Sequence, residues 1–511
     1  MRYFLLILAA LALITAACDI SSPRLPAWNV DLNVPLTNQR LYVADLADSV
    51  NIIVGDGQIL TLTGTGDART NPFGEVNFTP NLQSPPIPLL SGVTHSGAVP
   101  IEDPEGKVFL SYGRLEEGTL KLNFENMHPG ITSLSLTFPD IRTAQGESFV
   151  AVYPGGSGMQ TYSLVDCSIG VDGSGIILNE LAYTLDVQSD QPDGTPVGTV
   201  TLLVNNQLGF NIFQGRLLGY RRDFTGEISP IDIDYPHNMD TAVQLQEANL
   251  LVRITNEIGF EAEFHGEIFA KNYSTLETRS IDVMDSTEAG LVPYMAAPAT
   301  AQGPTVTEHN FSRNLNQLLQ IMPDYVELRN AYLLINSLPG QLGFVCEDDR
   351  EFVRYRLDAP FKMVILDSVI EMGEPRSVDI SSDIQKQIRE KLLTSDLCLE
   401  VLNKVPVGGT GTIYIGTDPD LNPANPQSWS FSKAFTVHAS TSPGGDQPQQ
   451  IEISLSKEEV DVFANPTVYM ILSFHFEPSN GVVEITAGPE DYVEVKAMLR
   501  AKVLVNEGED K

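Results

Sequence analysis

The sequence predicts a mainly β protein built of antiparallel sheets, sandwich-like or in one elongated curved sheet, with two or three short helices in the C-terminal half. Three observations predict it. Apolar residues recur with a period of two over long runs, 40 Gly and 33 Pro punctuate those runs, and helical spacing is confined to short segments. A strand turns successive side chains to opposite faces, so a period of two buries one face and wets the other. One-sided burial of this kind is the habit of antiparallel sheets.

The elements follow in order. Trp28, Val30, Leu32, Val34 and Leu36 alternate with polar residues and predict a first strand. Gly55-Asp56-Gly57 stands between two short apolar runs, a hairpin signal because Gly accepts positive φ. From Gly64 to Pro104 the chain is Pro-rich and aperiodic, which reads as a long ordered loop or a crossing segment. Leu134, Leu136 and Phe138 form one further strand face, and Leu181, Tyr183, Leu185 and Val187 another. The last run sets Val493, Val495, Ala497, Leu499, Ala501, Val503 and Val505 on one face against Glu494, Lys496, Arg500 and Lys502.

Helix signals lie late in the chain. Ser312 precedes a stripe of Leu315, Leu318, Leu319 and Met322 that Pro323 ends. Ser382 and Gln385 have capping-box spacing before Ile384, Ile388 and Leu392, and Ser456 and Glu459 repeat that spacing before Asn465-Pro466.

Five segments are expected. Residues 1–17 form a signal peptide, 18–48 a tether with the first strands, and 49–287 an all-β domain. Residues 288–307, rich in Ala and Pro with little charge, form a linker or a long loop, and 308–511 a β-rich domain carrying the helices.

One motif recurs: two apolar residues four and two places before an Asn, then an apolar residue and Gly or Pro. Asn206, Asn256, Asn336 and Asn403 carry it, and Asn126 carries a poorer copy. Asn bonds its neighbouring backbone or takes left-handed geometry, and Gly or Pro breaks a ladder, so each copy predicts a strand that ends or kinks. An ancient duplication is one reading of the recurrence; chance or shared turn chemistry is the other.

Composition narrows the partners. Asp and Glu outnumber Lys and Arg by 66 to 31, so the surface repels phosphate backbones and nucleic-acid binding is not expected. The seven histidines are spread singly, without a metal-ligand spacing, and no nucleophile elbow, P-loop or dinucleotide fingerprint occurs. No cofactor is expected. Asp418, Asp420 and Asn422 place alternate oxygen ligands as the start of a calcium loop does. Pro423 stands where such a loop wants Gly, and a plain Asx turn is the alternative. Cys167, Cys346 and Cys398 allow at most one internal disulfide and read as buried thiols.

The N-terminus is the most specific segment. Basic Arg2, the apolar run Tyr3–Ile14 and then Thr15-Ala16-Ala17-Cys18 make a secretory signal ending in a cysteine. This layout resembles the lipobox of bacterial lipoprotein precursors, with Thr15 where the family usually has Leu. The resemblance covers residues 1–18 alone. It implies cleavage before Cys18 and acylation there, hence a membrane partner held through acyl chains, with the outer membrane favoured over the inner. An ordinary secretion signal is the competing reading.

These features lead to the expectation of a lipid-anchored cell-envelope protein with a non-enzymatic binding or scaffold role. A lipid or another envelope protein's strand, held in a groove, would be its partner. The alternative is a secreted hydrolase of envelope polysaccharide using paired carboxylates across a cleft; no catalytic residue is assigned, and Asp232 and Asp234, which flank Ile233, read as a solvated strand face.

Overall fold

The computed structural model describes residues 27–47, 51–80, 82–204, 207–225, 228–233, 242–287, 290–441 and 447–506. It is mainly β, with antiparallel pairing between its strands, as the period-two runs require. Cys18, Asp234 and Asn206 lie outside the described residues.

The chain packs as two units, each assembled from separated stretches. The first takes Met1–Leu60, Tyr235–Gln244 and Phe361–Lys511; the second takes Thr61–Asp234 and Leu245–Pro360. The expected boundary at 288–307 is corrected by this division, because that stretch lies inside the second unit. There Gly290–Val292 and Tyr294–Ala296 are strands, and Tyr294, Ala296 and Ala299 are buried. The low charge that suggested a linker is the mark of residues entering a core.

The first unit contains a sandwich of two four-stranded sheets, and Lys362–Ile365 and Val483–Glu484 belong to a further three-stranded sheet. One sheet of the sandwich has the order Ala27–Tyr42, Tyr492–Asn506, Leu392–Asn403, Gln449–Leu455; the other has Val369–Asp379, Thr467–Phe476, Gly409–Gly416, Phe431–Val437. The first and last described strands pair directly, from Ala27 opposite Asn506 to Tyr42 opposite Tyr492. Val34, Leu399, Val401 and Leu499 from one sheet meet Ile415, Phe435 and Val468 from the other in a single apolar core. Side chains of the two inner faces interdigitate, and that burial is the main source of such a sandwich's stability.

The second unit joins two sandwiches through one long strand, Leu208–Asp223. Its first part pairs with Val108–Glu117 and its last part with Tyr325–Asn336. Gly219, at φ 64, sits at the register shift within the second pairing. The Pro-rich stretch after Gly64 is a crossing segment with short strands, Val76–Phe78, Leu82–Gln83 and Ile87–Leu90, dealt to two different sheets. Tyr355 ties the second sandwich together: its hydroxyl donates to the Ser229 carbonyl at 3.0 Å and accepts the Leu328 N–H at 3.3 Å.

Aromatic rings lie over glycines in directly opposed strand pairs. Tyr355 faces Gly66, Tyr183 faces Gly97, and Phe435 faces Gly411. A Cβ at Gly66 would stand 2.2 Å from the Tyr355 ring, so the ring occupies the space a side chain would need.

Helices α1 (Leu315–Leu319), α2 (Ser382–Lys391) and α3 (Lys457–Asp461) fall in the C-terminal half. The capping box at Ser456 and Glu459 is formed. In α2 the cap is Ser381, one residue earlier than the spacing suggested, and its Oγ accepts the Ile384 N–H at 3.5 Å. Both serines could cap; the backbone turns helical only after the first. Among the described residues no helix is long and apolar enough to cross a membrane.

Candidate functional site

The recurring Asn motif belongs to the fold. Asn256 and Asn403, both fully buried, end strands after which the chain crosses to the opposite sheet. Asn336 is exposed, and its Oδ1 accepts the Gly219 N–H at 2.8 Å, holding the bulge of the long strand. Asn272 does similar work without the motif. Its Oδ1 accepts the Ser274 and Thr275 N–H groups, while its Nδ2 donates to the Ile321 and Met322 carbonyls.

The Asp418–Asn422 loop is a run of Asx turns. Asp418 Oδ1 accepts the Asp420 N–H at 3.0 Å, and Asn422 Oδ1 accepts the Ala424 N–H at 2.8 Å. These bonds are the plain Asx-turn chemistry that competes with the calcium-loop reading. Among the described residues no cluster of three or more His, Cys, Asp and Glu side chains could hold a metal ion. Cys167, Cys346 and Cys398 are free thiols.

Core faces meet closely. The C-terminal strand Tyr492–Asn506 lies between two partner strands, so neither of its sides borders an open groove. In the second unit an apolar void of about 10 Å³ lies among Leu120, Phe138, Leu181 and Leu202. That is barely one water's volume, far below what an acyl chain needs.

One buried polar cluster stands apart. Glu351 is fully buried; its Oε2 accepts from the Thr70 hydroxyl at 2.6 Å and lies 3.6 Å from the Arg222 guanidinium. Arg222 also donates to the Asn71 and Phe73 carbonyls and lies over the Phe73 ring. Glu351 Oε1 and Arg222 Nε are buried without a partner. Burial pushes the Glu351 carboxyl above its ordinary range, against the pull of Arg222 and Thr70. The cluster clamps the segment after strand Leu60–Arg69 onto two other strands.

The richest exposed chemistry is a sheet face that the sequence reading missed. Strands Leu208–Asp223, Tyr325–Asn336 and Ala262–Lys271 are neighbours in the second unit. On them the Arg221 guanidinium lies 3.7 Å from the Tyr332 ring centre, and Tyr332 stacks on His265 at 4.6 Å. Further along, Arg329 lies 3.3 Å over Phe269, and Lys271 lies 4.8 Å over Tyr273. Carboxylates complete the lattice: Asp223 pairs with Arg221, Glu327 with Arg329, and Glu263 with His265. Burial and the hydrogen bond to Glu327 push the Tyr325 phenol up to about 12. Cations stacked on aromatic faces and paired with carboxylates make a flat, amphipathic surface of donors, acceptors and rings.

No protein-family model matches the chain, and no curated protein matches it. Among solved structures it is similar to a protein of Parabacteroides distasonis ATCC 8503 provisionally described as secreted. The identity is 14%, covering 57% of this chain and 88% of that one, with a TM-score of 0.32. A broad bean stain virus structure matches at 9% identity over 51% of this chain and 78% of that one, with a TM-score of 0.15. The VP2 subviral particle of infectious bursal disease virus matches at 9% over 96% and 83%, with a TM-score of 0.16. Likenesses this distant carry no function across.

Proposed function

We propose that this chain is a lipid-anchored cell-envelope protein that acts as a scaffold or surface binder, not as an enzyme, with the outer membrane its favoured site. The observation that carries the anchor is the signal layout from Arg2 to Cys18. A diacylated cysteine with a third chain on its amine holds a protein durably, where one chain would bind only marginally.

The surface role rests on where the chemistry lies. Asn256, Asn403 and Glu351 are consumed in holding strands, and the core void among Leu120 and Phe138 is too small for a ligand. Rings and guanidinium groups gather on the exposed face around Tyr332 and Arg329 instead. A partner is therefore met on strand faces, and another envelope protein suits that surface better than a lipid enclosed in a core.

Two measurements test this reading. Fractionation of cells should place the wild-type protein in membranes and Cys18→Ser in the soluble fraction; retention of the variant on membranes would remove the anchor. Native mass spectrometry of the detergent-extracted protein should show no stoichiometric lipid beyond the acyl chains. A tightly held lipid would instead restore the enclosed-ligand reading.

A further inference from the structure

We infer that the end of the first unit carrying Trp28 and Val30 docks on the headgroup–acyl boundary of the bilayer that holds the acylated Cys18. The inference rests on the anchor proposed above. It concerns a contact that the anchor alone does not require.

The first described strand carries Trp28, Val30, Leu32 and Val34 on one face, since alternate residues of a strand point the same way. Val34 is 5% exposed, inside the sandwich core. Towards the N-terminus that same apolar face emerges, with Val30 at 41% and Trp28 at 43%. Across the sheet, Leu392 opens the strand opposite Val503, and Leu393, at the register shift that follows, is 48% exposed, a further exposed apolar residue at this rim of the sheet.

The tether decides what covers this rim. Only residues 19–26 separate Cys18 from Ala27. A fully extended chain spans about 3.3–3.6 Å per residue, so Ala27 stays within roughly 30 Å of the acylated cysteine. The rim is thus the part of the first unit closest along the chain to the bilayer. Tryptophan favours that boundary, where its ring meets apolar tails and its N–H meets headgroups.

Charge permits the approach. Glu390 and Lys391 run directly into Leu392, the partner of Val503, and Lys502 lies opposite Asp31, so the strand pairing brings charges of both signs to this end.

The chain has two tryptophans, Trp28 and Trp429, which makes the contact directly readable. The lipidated protein is reconstituted into vesicles of dibrominated phosphatidylcholine, with flotation as the check of anchoring. In Trp429→Phe, Trp28 alone emits, and its fluorescence should shift to the blue and be lost to bromine quenching. In Trp28→Phe, the emission of Trp429 should survive. Should Trp429→Phe disturb the fold, the quenched fraction of the wild type minus that of Trp28→Phe reads the same contact. Floated protein with unquenched Trp28 overturns the docking and leaves the anchor standing, including the case in which a second copy shields Trp28. Protein that fails to float overturns the anchor and this inference with it.

Discussion

Asn256 and Asn403 make the same three hydrogen bonds at the same architectural point, one in each unit. Each Oδ1 accepts the N–H two residues on, from Ile258 at 3.0 Å and from Val405 at 2.9 Å. Each Nδ2 donates to the carbonyl four residues on, Phe260 at 2.9 Å and Val407 at 2.7 Å. The third bond reaches a residue just past a strand of the opposite sheet, Ala297 at 3.0 Å and His438 at 2.9 Å. One amide thus closes the crossing turn and fastens it to the facing sheet.

Removing that amide should be costly. Asn256→Ala or Asn403→Ala leaves two carbonyls and one N–H without their partner in a buried site, which predicts a loss of about 2–4 kcal/mol each. Asn336→Ala, exposed and with one bond to Gly219, should cost under about 1 kcal/mol. Denaturant unfolding of the three variants checks the order; similar losses for Asn336 and Asn256 would refute it.

The motif's partial legibility shows what one sequence can carry. An Asn before an apolar residue and Gly or Pro announces a strand end, because that chemistry is local. The partners Ala297 and His438 are distant in sequence, so nothing near Asn256 or Asn403 announces them. The period-two pattern that places Ala497, Leu499, Ala501 and Val503 together marks the buried face of the last strand for the same local reason. Its pairing with Ala27–Tyr42 is a matter of tertiary packing, which is why a boundary at 288–307 was expected and two interleaved units are found. Arg221, Arg329 and His265 stand far apart in sequence, and no local pattern marks them as a group. Only the register that sets His265 opposite Tyr332 turns them into a stacked lattice.

The glycine beneath Tyr355 gives a steric prediction. Gly66→Ala places a methyl within the Tyr355 ring, whose hydroxyl is tied to Ser229 and Leu328 and so resists displacement. The expected loss is about 1–3 kcal/mol, the usual range for overpacking. Gly74→Ala makes a useful contrast, since it meets no atom but stands at φ 71, a strain of backbone alone. Thermal unfolding should show Gly66→Ala rescued in part by Tyr355→Phe, which frees the ring to move; no rescue would place the strain elsewhere.

Thiol reactivity should rank by exposure and charge. Cys167 and Cys398 are buried and Cys346 is half-buried. Burial pushes each thiol up, and Asp349, Asp348 and Glu347 push Cys346 further. Alkylation of the native protein near neutral pH should therefore be slow at all three, with Cys346 first. Neutralising the neighbours with Asp348→Asn and Glu347→Gln should speed Cys346 alone. An unchanged Cys346 rate would show that those carboxylates do not act on it.

The buried Glu351 sets a pH dependence whose direction follows from its environment. Burial raises its carboxyl above the ordinary 4.5 in the folded state, outweighing the opposing pull of Arg222 and Thr70. Between the unfolded and folded values the folded protein binds more protons than the unfolded chain, so stability falls as pH rises through that window. The wild type should accordingly gain stability relative to Glu351→Gln as pH drops from neutrality towards about 4.5. Glu75, also raised by burial, titrates in both proteins and cancels in the difference, whereas the Asp349 charge itself helps to raise Glu351 and is part of that difference. Denaturant midpoints for the pair across this range measure it directly. A difference that is flat with pH, or that grows towards neutrality, would mean that Arg222 outweighs burial and that the clamp favours the charged form.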